Sequence, residues 1–244
     1  MNNLTLLKAV TFDVFGTVVD WRTSIAREVE GLAVKKQFVV DGERFADAWR
    51  NLYQPSMKKV RDGKMPWTVL DDLHRTNLLE VLEAFGIDQL SEEEIEHLNR
   101  AWHRLDPWPD AVAGLQRLKQ HYIIGTLSNG NVALIVNMAK FSGLPWDVVL
   151  GAEIARHYKP QPEAYLKSAE ILGLEPRECM LVAAHYGDLA AAGRCGFQTA
   201  FVPRPTEYGS EQTTDLAAEC DCDLVAGDFI ELAQILGWSA DQET

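Results

Sequence analysis

An apolar run, AVTF at residues 9–12, leads straight into Asp13 and then into Val14, Phe15, Gly16 and Thr17, with a second acid at Asp20. A carboxylate at the end of a buried strand packs poorly but is well placed to act as a nucleophile or a base. Three other stretches repeat the arrangement. Ser128 and Asn129 follow an apolar run in TLSNGN, Lys159 and Tyr165 lie in HYKPQPEAY, and His185 and Asp188 lie in VAAHYGDLAAA. Each has a plain structural reading. Asp13 could close an Asx-turn, Ser128 and Asn129 could cap a helix, Lys159 could be solvated, and Asp188 could serve a helix start. That reading needs four coincidences at four strand ends. One site, built from a carboxylate, an amine and orienting polar groups, accounts for all four.

Such a site needs a scaffold that brings strand ends together. Apolar runs at 9–14, 122–127, 147–151, 179–184, 199–203 and 223–226 read as buried parallel strands. Helical patterns near 109–120, 130–142, 162–173, 188–195 and 228–237 fall between the later ones. Strand alternating with helix predicts an α/β doubly wound parallel sheet, with right-handed crossovers gathering the strand C-termini along one edge. The interval after the first strand breaks this rhythm. It reads as helices near 24–36, 41–54, 67–86 and 91–103, with no convincing strand. A stretch this long is no loop. It predicts a helical subdomain over residues 18–108, inserted above Asp13, with core segments at 1–17 and 109–244. The proline-containing LDPWPD, 105–110, reads as the return linker.

Composition narrows the function. The chain has 244 residues, 47% hydrophobic and 24% charged, as expected of a soluble globular protein. Its net charge of −13 argues against a nucleic-acid partner, which needs a basic face. No apolar run is long enough to span a membrane, and the start MNNLTLLKAV does not read as a signal peptide. A cytoplasmic protein with a small substrate and no membrane partner is expected, as a monomer or a homodimer. Cys179, Cys195, Cys220 and Cys222 lack the spacing of a zinc site and are expected to be reduced.

The set of motifs resembles the haloacid dehalogenase superfamily. Asp13 in DVFGT, Ser128 in LSNG, Lys159 in YKP, and Asp188 after the fourth strand match in order and position. Within that superfamily the chain looks most like the type II 2-haloacid dehalogenases. The resemblance implies a HAD-like Rossmannoid core with a helical cap. It also implies roles. Asp13 would be the nucleophile, positioned with the substrate carboxylate by Thr17, Ser128 and Asn129. Lys159 would pair Asp13, Tyr165 would support that region, and Asp188 would help position the hydrolytic water. Arg50, in AWRNLY, would receive the halide or orient the substrate. The chain departs from the better-known members at Ala183 and His185, where they carry Ser and Asn, at Gly187, where a tryptophan is common, and at Asn51 and Gln54. His185 reads as a polar stand-in, as a group that activates water, or as a satisfied strand-end histidine.

Phe15 points to the substrate. Superfamily phosphatases carry a second acid there to protonate the leaving alkoxide, help worth roughly 10² to 10⁴ in rate. A halide is a weak base and leaves without a proton, and a phenyl ring supplies an apolar wall for a carbon centre. The expectation is a 2-haloalkanoate, a small anionic substrate, hydrolysed to a 2-hydroxyalkanoate through an Asp13 ester, with no metal and no cofactor. The alternatives are a superfamily phosphatase or phosphonate hydrolase, and a catalytically degenerate binding member.

Overall fold

The computed structural model describes residues 6–217 and 221–237. The chain opens with β1 (Ala9–Phe12) and a two-residue strand, β2 (Val19–Asp20). Five helices follow: α1 (Trp21–Lys36), α2 (Gly42–Asn51), α3 (Tyr53–Arg61), α4 (Leu70–Ala84) and α5 (Glu92–Asn99). A 3-10 turn over Arg100–His103 leads to β3 (Asp106–Pro107). The rest alternates: α6 (Ala111–Leu118), β4 (Ile123–Thr126), α7 (Val132–Ser142), the short α8 (Ala152–Ala155), α9 (Pro162–Ile171), β5 (Cys179–Ala183), α10 (Tyr186–Arg194), β6 (Gln198–Phe201), β7 (Leu224–Val225) and α11 (Phe229–Ile235).

The five longer-range strands form one sheet in the order β4-β1-β5-β6-β7. All its pairings are parallel, with Ala9 opposite Ile123 on one side and opposite Cys179 on the other. Every residue of β1 is buried, which explains why the strand reads as a continuous apolar run rather than an alternating one. The order reverses around β1, so its carboxyl end lies at the switch point where such sheets open a crevice. The chain leaves the sheet at β2 and returns at β3. These two strands pair antiparallel, Val19 with Pro107 and Asp20 with Asp106. Asp20 itself caps α1, accepting a hydrogen bond from the Thr23 amide at 3.0 Å.

Three expectations are corrected. Residues 147–151 are not a strand of the sheet. They touch β4 and the residues just beyond it through isolated bridges, Gly125 with Val148 and Ser128 with Gly151. The ladder is interrupted because the Leu150 amide donates to the Thr126 hydroxyl, at 3.0 Å, rather than to a backbone carbonyl. The helix expected over 41–54 is two helices that change at Leu52, and the second runs on to Arg61. Pro55 explains the break. It has no N–H for a bond to the Asn51 carbonyl, and it sits in the first turn of α3, where none is needed. Cys179 and Cys195 are free thiols, but Cys222 is disulfide-bonded. Cys220 lies outside the described residues.

One buried ion pair ties the turn after β1 to the rest of the core. Arg204, on the segment after β6, donates from Nη1 and Nη2 to both Asp110 oxygens at 2.7 and 2.9 Å, and from Nε to the Thr17 carbonyl at 2.9 Å. Both side chains are nearly inaccessible, at 7% and 11%. Removing one member leaves the other buried and unpaired, so Arg204→Met should lower the unfolding free energy by about 3 kcal/mol, measured by urea denaturation.

Candidate active site

Asp13 continues β1 by one residue. Its amide donates to the Val182 carbonyl at 3.0 Å, and Leu127 donates to Phe12 at 2.7 Å, so the ladders of β5 and β4 fix the backbone on both sides. The side chain is buried and has three polar neighbours. Lys159 Nζ donates to Oδ1 at 2.9 Å, and Thr17 Oγ1 donates to Oδ2 at 2.8 Å. His185 Nδ1 lies 3.1 Å from the same Oδ2. The Thr17 hydroxyl accepts from the Ala184 amide at 2.9 Å, which locks its orientation.

Lys159 also pairs with Asp188 Oδ2, and Tyr165 donates to Asp188 Oδ1 at 2.6 Å. Asp188 lies in the first turn of α10, whose N-cap is His185. The Lys159 backbone is held by Asn129, whose Oδ1 accepts from its amide at 2.8 Å. The hydroxyl of Ser128 accepts from Gly130 N at 3.1 Å and is fully buried.

Burial alone would raise the Asp13 carboxyl. Lys159 and His185 outweigh that cost and hold it far below the usual carboxylate range. Burial likewise opposes the Lys159 ammonium, but Asp13 and Asp188 keep it above the ordinary lysine value. Burial pushes Asp188 upward, the charge of Asp13 adding to it against the pull of Lys159. At neutral pH Asp13 and Lys159 are thus an ionised carboxylate and an ammonium ion, the state in which a carboxylate can act as a nucleophile.

A cavity of about 460 Å³ opens over Asp13, with Phe15, Arg50, Asn129, Lys159 and Asp188 on its wall. His185, Gly187, Tyr53 and Tyr208 also line it. Thr17 and Tyr165 stand behind this wall, hydrogen-bonded to Asp13 and Asp188, and Ser128 directly precedes Asn129 in the chain. Arg50 comes from α2. Its guanidinium lies 4.2 Å from the Tyr53 ring centre, 5.2 Å from that of Trp21 and 5.9 Å from that of Phe15. Its Nη1 is buried with no hydrogen-bond partner among the described residues. A buried cationic N–H without a partner at a cavity wall is what an entering anion would satisfy.

Phe15 does more than line the cavity. It is 2% exposed and meets Trp102, Tyr53 and His74 edge-on, at 5.8, 6.4 and 6.4 Å. It therefore links the turn after β1 to the helices between β2 and β3. Burial pushes His74 down to about 3, so this ring is neutral and packs as an aromatic, stacked on Trp102 at 4.3 Å.

All ten residues singled out from the sequence gather here. Sequence reasoning missed Glu207, Tyr53, Tyr208 and Arg61. Glu207 Oε2 lies 2.8 Å from His185 Nε2, and Arg61 donates to the Lys159 carbonyl at 3.1 Å. These four lie in stretches with no strand-end pattern. Only Tyr53 carried a signal, as a neighbour of Arg50 on the helix pattern.

Residues 7–196 match the haloacid dehalogenase-like hydrolase family of hydrolases. The chain belongs to that family. The solved structure of a defluorinating L-2-haloacid dehalogenase superposes with a TM-score of 0.93 at 52% identity, covering 94% of this chain and 95% of its own. A second L-2-haloacid dehalogenase structure gives 0.90 at 45% identity, covering 94% and 99%. The (S)-2-haloacid dehalogenase of Xanthobacter autotrophicus is 30% identical over 207 residues, 82% of this chain and 76% of its own length. Among the described residues of this family member, no group of three or more His, Cys, Asp or Glu side chains could hold a metal ion. None of its helices there is long and apolar enough to cross a membrane.

The surroundings of His185 set a pH dependence of stability. Burial disfavours its charged form, but Glu207 and Asp13 outweigh this and raise the imidazole well above 6.5. A raised folded value means stability fully present below about pH 6.5 and lost as pH rises through the folded value. The stability difference between wild type and His185→Gln should therefore be largest near pH 6 and shrink by pH 10, read from urea midpoints across that range.

Proposed function

We propose that this protein hydrolyses the carbon–halogen bond of small 2-haloalkanoic acids, with Asp13 as the nucleophile. The observation that carries the reading is the buried Asp13 carboxylate, held ionised by Lys159 and facing a cavity walled by Phe15 and Arg50. Residues 18–108 act as a helical cap over the carboxyl edge of the sheet, joined to the core through the β2–β3 ribbon. The substrate carboxylate binds near Asn129, with Ser128 shaping the loop that presents it. Asp13 displaces halide from C2 by in-line attack and becomes an ester, while the halide leaves toward Arg50. Water then attacks the Asp13 acyl carbon, which returns the carboxylate and releases a 2-hydroxyalkanoate inverted at C2. Tyr165 and Asp188 hold Lys159 in place, and Thr17 holds Asp13.

Phe15 is what favours this reading over phosphoryl transfer. The position that would carry an acid for a leaving alkoxide is filled by a ring packed on Trp102. The relatives' names make haloacids the substrates to try, and one relative is described as defluorinating. Halide release should be measured with chloro-, bromo- and fluoroacetate in the presence of EDTA. Release is expected from at least one of them and should be lost in Asp13→Asn. Turnover of phosphate esters restored only by Mg²⁺ would overturn the assignment, as would wild-type halide release by Asp13→Asn without deamidation.

Arg50 is placed by the same reading on the leaving group or the carboxylate. Arg50→Ala should lower kcat/KM by more than about threefold, or ~0.7 kcal/mol of transition-state stabilisation. A smaller change would make it a residue of the aromatic packing alone.

A further inference from the structure

Glu207 is the carboxylate that the reaction above leaves without a part. It lies on the segment after β6, where Arg204 is anchored to Asp110 and Thr17 and the Glu207 amide closes a turn onto the Arg204 carbonyl at 3.1 Å. Its side chain is 1% exposed. Trp21 Nε1 donates to Oε1 at 2.9 Å, and His185 Nε2 lies 2.8 Å from Oε2. The other nitrogen of the same ring, Nδ1, is 3.1 Å from Asp13 Oδ2. Space for the carboxylate comes from Gly16, where φ is +88° and an added Cβ would meet Glu207 Oε1 at 2.0 Å. A carboxylate engaged on both oxygens, behind an imidazole that faces the nucleophile, is a fixed arrangement.

We propose that Glu207 is a positioning residue for hydrolysis of the Asp13 ester: it holds the His185 ring with Nε2–H turned toward itself, so that Nδ1 is the nitrogen presented to the Asp13 acyl carbon. This rests on Asp13 being the nucleophile. Asp188 is less suited to receive the water's proton, because its two oxygens already bond Lys159 and Tyr165.

The proton balance follows from the contacts. In the free enzyme His185 is an imidazolium whose Nδ1–H donates to Asp13. Forming the ester removes the charge of Asp13. The imidazolium then faces one carboxylate instead of two, and its Nδ1 proton passes to solvent through the cavity. Nδ1 next takes a proton from the water whose oxygen bonds to the Asp13 acyl carbon. The bond from that carbon to the ester oxygen, the former Asp13 oxygen now on C2, breaks, the alkoxide leaves with the electron pair, and Nδ1 returns the proton to it. The Asp13 carboxylic acid that remains gives its proton to Nδ1, restoring the carboxylate and the imidazolium. In sum, one water and one haloacid give one hydroxyacid, one halide and one proton.

Other charges bear on His185. Lys159 and Asp188 reach it through Asp13, and Arg50 and Tyr208 act from the Glu207 side. Glu207→Gln keeps the shape and removes the charge that raises His185. The base would then lose its proton more readily, so the pH limb of ester hydrolysis should move to lower pH while its plateau falls.

The experiment is a single turnover of full-length enzyme with 2-chloropropionate, following the Asp13 ester by intact-protein mass spectrometry across pH. Glu207→Gln should slow ester hydrolysis about tenfold more than ester formation, so that ester accumulates, with the limb displaced to lower pH. His185→Ala should accumulate ester too, and adding Glu207→Gln to it should slow hydrolysis no further. Equal slowing of both steps, or a hydrolysis rate and limb like wild type, would overturn the proposal. A wild type that turns over without any Asp13 ester would overturn the nucleophile assignment as well. If Glu207→Gln does not fold, Trp21→Phe frees one Glu207 oxygen while keeping a ring. Slower hydrolysis with formation less affected supports the proposal there, and any other pattern overturns it.

Discussion

The buried charge balance at Asp13 is the constraint on which the rest of this molecule depends. A carboxylate buried at the carboxyl end of a central parallel strand would ordinarily take a proton to escape burial. Here Lys159 and His185 prevent that, and each needs its own support. Lys159 is shared with Asp188 and fixed at its backbone by Asn129. His185 is held from behind by Glu207, which Trp21 holds in turn. These groups come from six separate segments of the chain. Buried pairs add little net stability, but losing one partner is costly. The network is therefore better understood as preorganisation of the Asp13 carboxylate than as a source of fold stability.

The helices between β2 and β3 complete the site through aromatic packing. Phe15, on the turn after β1, meets Trp102 and Tyr53 across the cavity, and Arg50 stacks on Tyr53 and Trp21. The Phe15 ring, which walls the cavity, is thus also the contact that registers the helical layer on the sheet. Substrate class and packing are coupled at this one position. An acid here would need a polar partner among rings that offer few.

His185 and Glu207 add a second charged pair behind Asp13. An imidazole backed by a carboxylate can carry a proton as well as orient one. Its charge is tied to the charge of Asp13, so forming the ester changes the state of the group that faces it.

The sequence by itself determined the parallel sheet, the inserted helices and the polar residues beyond three strand ends. Those features are local: a buried strand needs a continuous apolar run, and a polar group directly after it stands out. Asp13, Ser128 and His185 were legible for that reason, Lys159 and Asp188 through the motifs around them, and Phe15 as a departure from the acid expected there. The tertiary structure alone decided what stands around them. Glu207 is one acid among many, in a segment without periodicity, and only the return of the chain after β6 places it against His185. The interruption at Thr126 and Leu150 was equally hidden, because a hydroxyl that takes a backbone amide leaves no mark on the apolar pattern. Local patterning fixes where a side chain leaves the backbone; which charge it meets depends on long-range packing, and that pairing sets its protonation state.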